Sequence, residues 1–318
     1  MVEYSFYTLK KGQLTGGGPR KQRKISIFIA YSFASESSCR FRNMLEQAIK
    51  RTPTLRSIEI NDGRVAVGAK WTTVIRERLK KARLVVSEFS RLSPEVLFET
   101  GFAYGLNKSI LPVTNSSESL RMMPRFLTEI QFGVLSSEDS ISDVVSAISE
   151  CVAKSKRNGI GVSLAGRSSP NNVLLISPNS KSEVIEKVKV FCNREEMIFQ
   201  HLNVDDDFDY NVDIDSVVGD VTLLIGCVDN REQDNLINFS AGMVCAHPKA
   251  GIGKIKLPKK VVFVIPNNGG AINMVADSAR RITQTVKVVK EIDMMSVLSA
   301  FAETRRKWQS NQKIEHVN

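Results

Sequence analysis

Two glutamates four residues apart, Glu95 and Glu99, lie in a stretch with helical spacing and therefore share one face. Ser93-Pro94 precedes them: Ser93 can cap a helix, and Pro94 at its first position forfeits no hydrogen bond. Upstream stand Glu88 and Ser90 at the end of an apolar run, Asp62 in Asn61-Asp62-Gly63, and the polar and aromatic trio Tyr31, Ser32 and Phe33. A carboxylate fixed in a crevice can stabilise a developing cation or attack an electrophilic carbon. The first 200 residues contain no histidine, since the three present are His201, His247 and His316, so proton transfer there would fall to Asp62, Glu88 or Glu95. Each group also has a structural reading. Glu95 suits the helix dipole, Asp62 suits a turn, Ser90 suits a turn hydroxyl and the two aromatics suit packing. The chain has no P-loop, no Gly-x-Gly-x-x-Gly fingerprint and no zinc-ligand spacing, and Gly251-Ile252-Gly253-Lys254 is too short to cradle phosphate.

The elements that must position these residues alternate. Apolar strands are expected at 25–30, 55–60, 84–87 and 109–113, with a further one at 130–135. Helices are expected around Phe41, Leu45, Ala48 and Ile49, then at 71–81, 94–106 and 141–153. Such alternation implies right-handed crossovers and a parallel sheet covered on both faces, with ligands outside the carboxyl ends of the strands. Glu99, Glu95, Glu88, Ser90, Asp62 and the trio at 31–33 would line one crevice there.

After a segment rich in Gly, Ser, Pro and basic residues, the order returns. Strands are expected at 173–176, 221–225, 260–265 and 285–289, with helices at 181–192, 235–244 and 296–307. This reads as a degenerate internal duplication. The division is an N-terminal extension at 1–24, a first α/β domain at 25–154, a linker at 155–171, a second α/β domain at 172–310 and a tail at 311–318. In the second copy Asn238 falls opposite Glu99, and a neutral amide cannot neutralise an anomeric cation, so this copy reads as a binding or assembly domain.

The stretch 81–113, KARLVVSEFSRLSPEVLFETGFAYGLNKSILPV, fixes residues across a strand, a loop, a helix and the next strand. Through Ala82, Glu88, Ser90, Ser93–Val96, Phe98, Glu99, Gly101, Ala103, Asn107 and Lys108 it resembles TIR-like and nucleoside 2-deoxyribosyltransferase-like proteins. It departs from them at Glu88, where Asp is usual, at Glu95, where Asn is usual, and at Thr100, where Leu is usual. The resemblance implies two flavodoxin-like α/β domains with mostly parallel sheets flanked by helices. It also implies cleavage of an N-glycosidic bond, with Glu99 as the catalytic carboxylate and Tyr31, Ser32, Phe33, Asp62, Glu88, Ser90 and Glu95 binding the nucleotide. Breaking that bond builds positive charge on the anomeric carbon, which a carboxylate can stabilise or attack. Nicotinamide leaves oxidised dinucleotide as a neutral base and needs no proton, which suits a domain without histidine. The expectation is therefore an NAD+ glycohydrolase needing no further cofactor, of the kind that serves as an effector in antiviral defence. A nucleotide sensor and a TIR-type assembly module are the alternatives.

Composition is that of a soluble globular chain: 42% hydrophobic, 25% charged, and no apolar run long enough to span a bilayer. The five cysteines are scattered without metal-site spacing, which fits free thiols in the cytoplasm. The net charge of +10 gathers partly at Lys10-Lys11, 20–24 and 154–157. Such a balance attracts polyanions and allows a nucleic-acid partner without requiring one. A homo-oligomer or a defence-system partner is expected from the resemblance.

Overall fold

A computed structural model describes residues 25–64, 71–91, 93–114, 133–134, 140–157, 171–203, 221–227, 231–246, 249–250, 257–266 and 286–315. The extension at 1–24, most of the segment 130–135 and the glycine-lysine stretch at 251–254 lie outside them. The chain divides into two compact units, Met1–Leu164 and Ala165–Asn318.

In the first unit the apolar runs become the centre of a sheet. The strands β1 (Ser26–Ala30) and β3 (Leu84–Glu88) are buried at every position, as strands covered on both faces must be. With β2 (Glu59–Asp62), β4 (Ser109–Thr114) and β5 (Gly133–Val134) they form a five-stranded sheet in the order β2-β1-β3-β4-β5, parallel throughout. That order is flavodoxin-like, and its reversal of direction between β1 and β3 opens a crevice at the strands' carboxyl ends. The helices α1 (Glu36–Arg51) and α4 (Ser140–Arg157) pack together over one face. There Leu45, Ile49 and Ile148 meet Ile27, Ile29, Leu84 and Val86. The helices α2 (Trp71–Lys81) and α3 (Pro94–Gly105) also pack together, and α3 lies against β1, β3 and β4. Thr100 on α3 explains its departure from leucine: its hydroxyl lies 2.9 Å from Ser87 Oγ and donates to the Val96 carbonyl at 2.6 Å, pinning α3 to the end of β3. Asn107, with φ of 53°, ends α3 in the left-handed region that asparagine tolerates.

The second unit repeats the plan. Its sheet joins β6 (Asn172–Ser177), β7 (Ile198–Asn203), β8 (Leu223–Cys227), β11 (Lys260–Ile265) and β12 (Val286–Lys290) in the order β12-β11-β8-β6-β7, again parallel. Read from β7, this is the topology of the first sheet. Around it lie α5 (Ser182–Arg194), α6 (Arg231–Ala246) and α7 (Met294–Glu315), while β9 (Lys249–Ala250) and β10 (Leu257–Pro258) form a small antiparallel pair. Arg305 ties α7 down, donating to the Glu195 carbonyl at 2.8 Å and to Asn171 Oδ1 at 2.9 Å. The chain is therefore α/β, with two flavodoxin-like domains whose parallel sheets are flanked by helices.

Several boundaries differ from the sequence reading. The run at 55–60 begins in a turn from which only Leu55 is buried, with Leu55 N donating to the Thr52 carbonyl at 3.0 Å, and the strand itself is Glu59–Asp62. Strand β7 was not expected, because it lies at a sheet edge where Gln200, His201 and Asn203 interrupt any apolar pattern. Helix α4 continues into the segment 155–171, and α7 runs through most of the segment 311–318.

Candidate functional site

The crevice of the first unit is built from three strand ends and one helix. Register sets Asp62 beside Ile29 and Ser87 beside Ala30, so β2 ends at Asp62 within two residues of the level of Tyr31, which follows β1. The N-terminus of α3 starts there too, with Ser93 Oγ accepting from Val96 N at 3.3 Å and Pro94 as the first helical residue.

Glu99 sits in the second turn of α3 and is 2% exposed, and its Oε1 has no hydrogen-bond partner. That oxygen reaches the loop after β2. A Cβ built on Gly63 would lie 2.9 Å from it and 3.0 Å from the Phe33 ring. A side chain at 63 would displace the Glu99 carboxyl or the Phe33 ring, and Glu99, Gly63 and Phe33 meet at one point. Burial, then the charges of Glu95 and Asp62, push the Glu99 carboxyl well above its usual range. Phe33 is 43% exposed, and its ring stands 4.7 Å from that of Tyr31 in an edge-on arrangement. Ser32 is buried, and its carbonyl accepts from Ser35 N at 3.2 Å, which turns the chain into α1.

Asp62 is more than a turn residue. Its Oδ2 accepts from Arg42 Nε at 2.9 Å and from Arg64 Nη2 at 2.7 Å, and its Oδ1 accepts from Arg64 N at 3.0 Å. Arg42 also bonds Glu46, and Arg78 donates to the carbonyls of Asp62, at 2.8 Å, and of Arg64. Burial works against the Asp62 charge, but the hydrogen bonds and charge of Arg64 and the charge of Arg42 outweigh it and hold the carboxyl below its usual range. Burial, followed by the Asp62 charge, pushes the Tyr31 phenol up to about 12. The surroundings thus push the two carboxyls of this site in opposite directions, Asp62 down and Glu99 up.

Glu88 and Ser90 form a separate pair. Alternation from Leu84 and Val86 assigns Glu88 to the face bearing α1 and α4, across the sheet from α3. It accepts from Ser90 N at 2.7 Å, while Oε2 has no partner. Tyr31, Asp62 and Glu88 thus lie on the face of the sheet that bears α1, Glu99 comes from α3 on the other face, and Gly63 and Phe33 meet its carboxyl, with Glu95 within electrostatic reach. Arg42, Arg64 and Gly63 belong to the site and were not foreseen. The only sequence signal for them was the Asn61-Asp62-Gly63-Arg64 turn itself.

The second unit shows what the duplication kept. Val173 pairs with Phe199 and Leu223 as Ile27 pairs with Ile60 and Leu84, so Ser177 matches Tyr31 and His201 matches Asp62. These two touch, with Ser177 Oγ 3.0 Å from His201 Nε2. The sequence reading set Asn238 opposite Glu99. Helices α3 and α6 end at Gly105 and Ala246, and aligning these ends superposes Phe98-Glu99-Thr100-Gly101 on Phe239-Ser240-Ala241-Gly242. Ser240 therefore holds the Glu99 position and Asn238 that of Leu97. The same alignment sets Ile237 and Ala241 where Val96 and Thr100 stand, and strand register sets Gly226 where Ser87 stands. A Cβ on Gly226 would lie 2.5 Å from Ile237, so smaller neighbours make room for the larger side chain. Both carboxylates of the first crevice are replaced by neutral or basic groups. Asn238 and Ser240 are fully buried with unpartnered polar atoms.

Among the described residues no group of three His, Cys, Asp or Glu is placed to hold a metal ion, and no helix is long and apolar enough to cross a membrane. No family model and no curated protein matches the chain. A solved structure, yeast Rtt107, aligns over 84% of this chain and 81% of its own at 10% identity, with a TM-score of 0.18, too low to carry an argument.

Proposed function

We propose that the first unit cleaves the N-glycosidic bond of a nucleotide, with NAD+ as substrate and Glu99 as the carboxylate that meets the anomeric carbon. The observation that carries this is the buried, unpartnered Glu99 oxygen against Gly63 and the half-exposed Phe33 ring, at the carboxyl end of a parallel sheet. Phe33 offers a face for a base to stack on. Burial that raises the Glu99 carboxyl above its usual range fits a cationic substrate. A positively charged nicotinamide ring entering a crevice of low dielectric favours ionisation of the acid beside it. As the C–N bond breaks, its electrons neutralise the nicotinamide nitrogen and positive charge passes to the ribose; water then forms a C–O bond to the anomeric carbon and gives its proton to the Glu99 carboxylate. A neutral purine leaving group would instead draw the proton from Glu99.

A nucleotide sensor without turnover is the second reading, favoured by the same raised carboxyl, which when protonated can donate a hydrogen bond to a ligand and do no more. A homo-oligomer or a defence-system partner in the cytoplasm, with the second unit as a binding or assembly domain, belongs to the same proposal. Incubating the full chain with NAD+, nucleoside monophosphates and deoxynucleosides and measuring free base separates the readings. Free nicotinamide supports the enzyme, and nucleotide binding without free base supports the sensor.

A further inference from the structure

We propose that Arg64 is the phosphate-binding arm of the first crevice, so that this site takes phosphorylated nucleotides in preference to nucleosides; the inference rests on the nucleotide reading above.

The ion cluster around Asp62 holds more cation than its structure needs. Arg42, whose side chain is 10% exposed, already serves Asp62 Oδ2 from α1, and Arg78 already clamps the backbone on both sides of Gly63. Arg64 adds a third guanidinium, and its side chain is 53% exposed. Three guanidiniums stand against two carboxylates, Asp62 and Glu46. Arg64 commits Nε and Nη2 to Asp62, at 3.0 and 2.7 Å, which leaves Nη1 for an incoming oxygen. Its fork is held flat against a carboxylate, so it is ordered before a ligand arrives.

The position matches the chemistry of a nucleotide. Arg64 follows Gly63, the residue that meets both Glu99 and Phe33, and its charge acts on the Tyr31 phenol. A ring for the base, a carboxyl for the ribose and a guanidinium for the phosphate thus occur around one loop. Arginine presents paired donors that fit phosphate oxygens, and charge-assisted bonds of this kind are about twice as strong as neutral ones. A nucleoside has no group to use them.

The test titrates the full chain calorimetrically with nicotinamide mononucleotide and with nicotinamide riboside, while nicotinamide release is followed in parallel. Wild type should bind the mononucleotide about 10–100-fold more tightly. Arg64→Ala should erase most of that preference and leave riboside affinity within about twofold, and Arg64→Lys, which keeps charge without the fork, should recover part of it. Equal affinities in wild type, parallel weakening of both ligands by Arg64→Ala, or no binding of either would overturn the assignment. The two readings fail separately. Preference without nicotinamide release removes the enzyme and keeps the phosphate arm, whereas release at rates indifferent to Arg64 and to the phosphate does the reverse.

Discussion

Replacing Glu99 by glutamine should make the first unit less sensitive to alkali, and the size of the effect follows from the proton balance. Glu99 is 2% exposed, has an unpartnered oxygen and lies near the charges of Glu95 and Asp62, so the native state holds its proton well above the usual carboxyl range. In the unfolded chain the same group ionises near the ordinary glutamate value of 4.5. Above that pH the native state binds more protons than the unfolded state, so the stability contributed by the neutral acid is present at low pH. It is lost as pH rises toward the folded pKa. The slope for one proton is about 1.4 kcal/mol per pH unit. Glutamine fills the same space and has no charge to bury. The stability of Glu99→Gln minus that of wild type should therefore grow by about that amount per unit from pH 5 upward until the native acid ionises. Urea unfolding of both proteins at pH 5, 6, 7 and 8 reads this difference, which cancels the pH responses they share. Stability curves that stay parallel across this range would refute the reasoning, because they would mean that Glu99 ionises as freely in the fold as outside it.

Two further perturbations bear on the same crevice. Gly63→Ala drives a methyl group to within 2.9 Å of Glu99 Oε1 and 3.0 Å of Phe33, so it should cost about 1–3 kcal/mol in urea unfolding and weaken nucleotide binding. Asp62→Asn strips the counter-charge from Arg42 and Arg64 and should destabilise by about 3–5 kcal/mol, measured in the same way.

How far the sequence carried this can be judged from particular residues. The segment from Leu84 to Val113 was legible because its strand, cap, proline-started helix and following strand are each dictated locally, and Glu99 sits inside that pattern. Asp62 was legible as a turn but not as an ion-cluster centre, since Arg42 reaches it from another helix and twenty residues away in the chain. Period-two alternation from Leu84 sets Glu88 on the face that Tyr31 and Asp62 also occupy, at the end of β3. Asn238 was matched to Glu99 by counting from the strand. The loop before α6 is two residues longer than its counterpart, and only the helix ends restore the phase that brings in Ser240. Strand β7 escaped because an edge strand has no need of an apolar run.

The central claim is that the Glu99 carboxyl acts on an N-glycosidic bond, and its most direct test is nicotinamide release from NAD+ by the full-length wild type and by Glu99→Gln, each shown to be folded. Glutamine keeps the shape and hydrogen-bonding capacity but removes the charge that the developing ribosyl cation requires. The account predicts release by wild type and a fall of about 10²–10³ in rate, or more if Glu99 is also the nucleophile, with nucleotide binding largely retained. Release at the full wild-type rate by Glu99→Gln would contradict it.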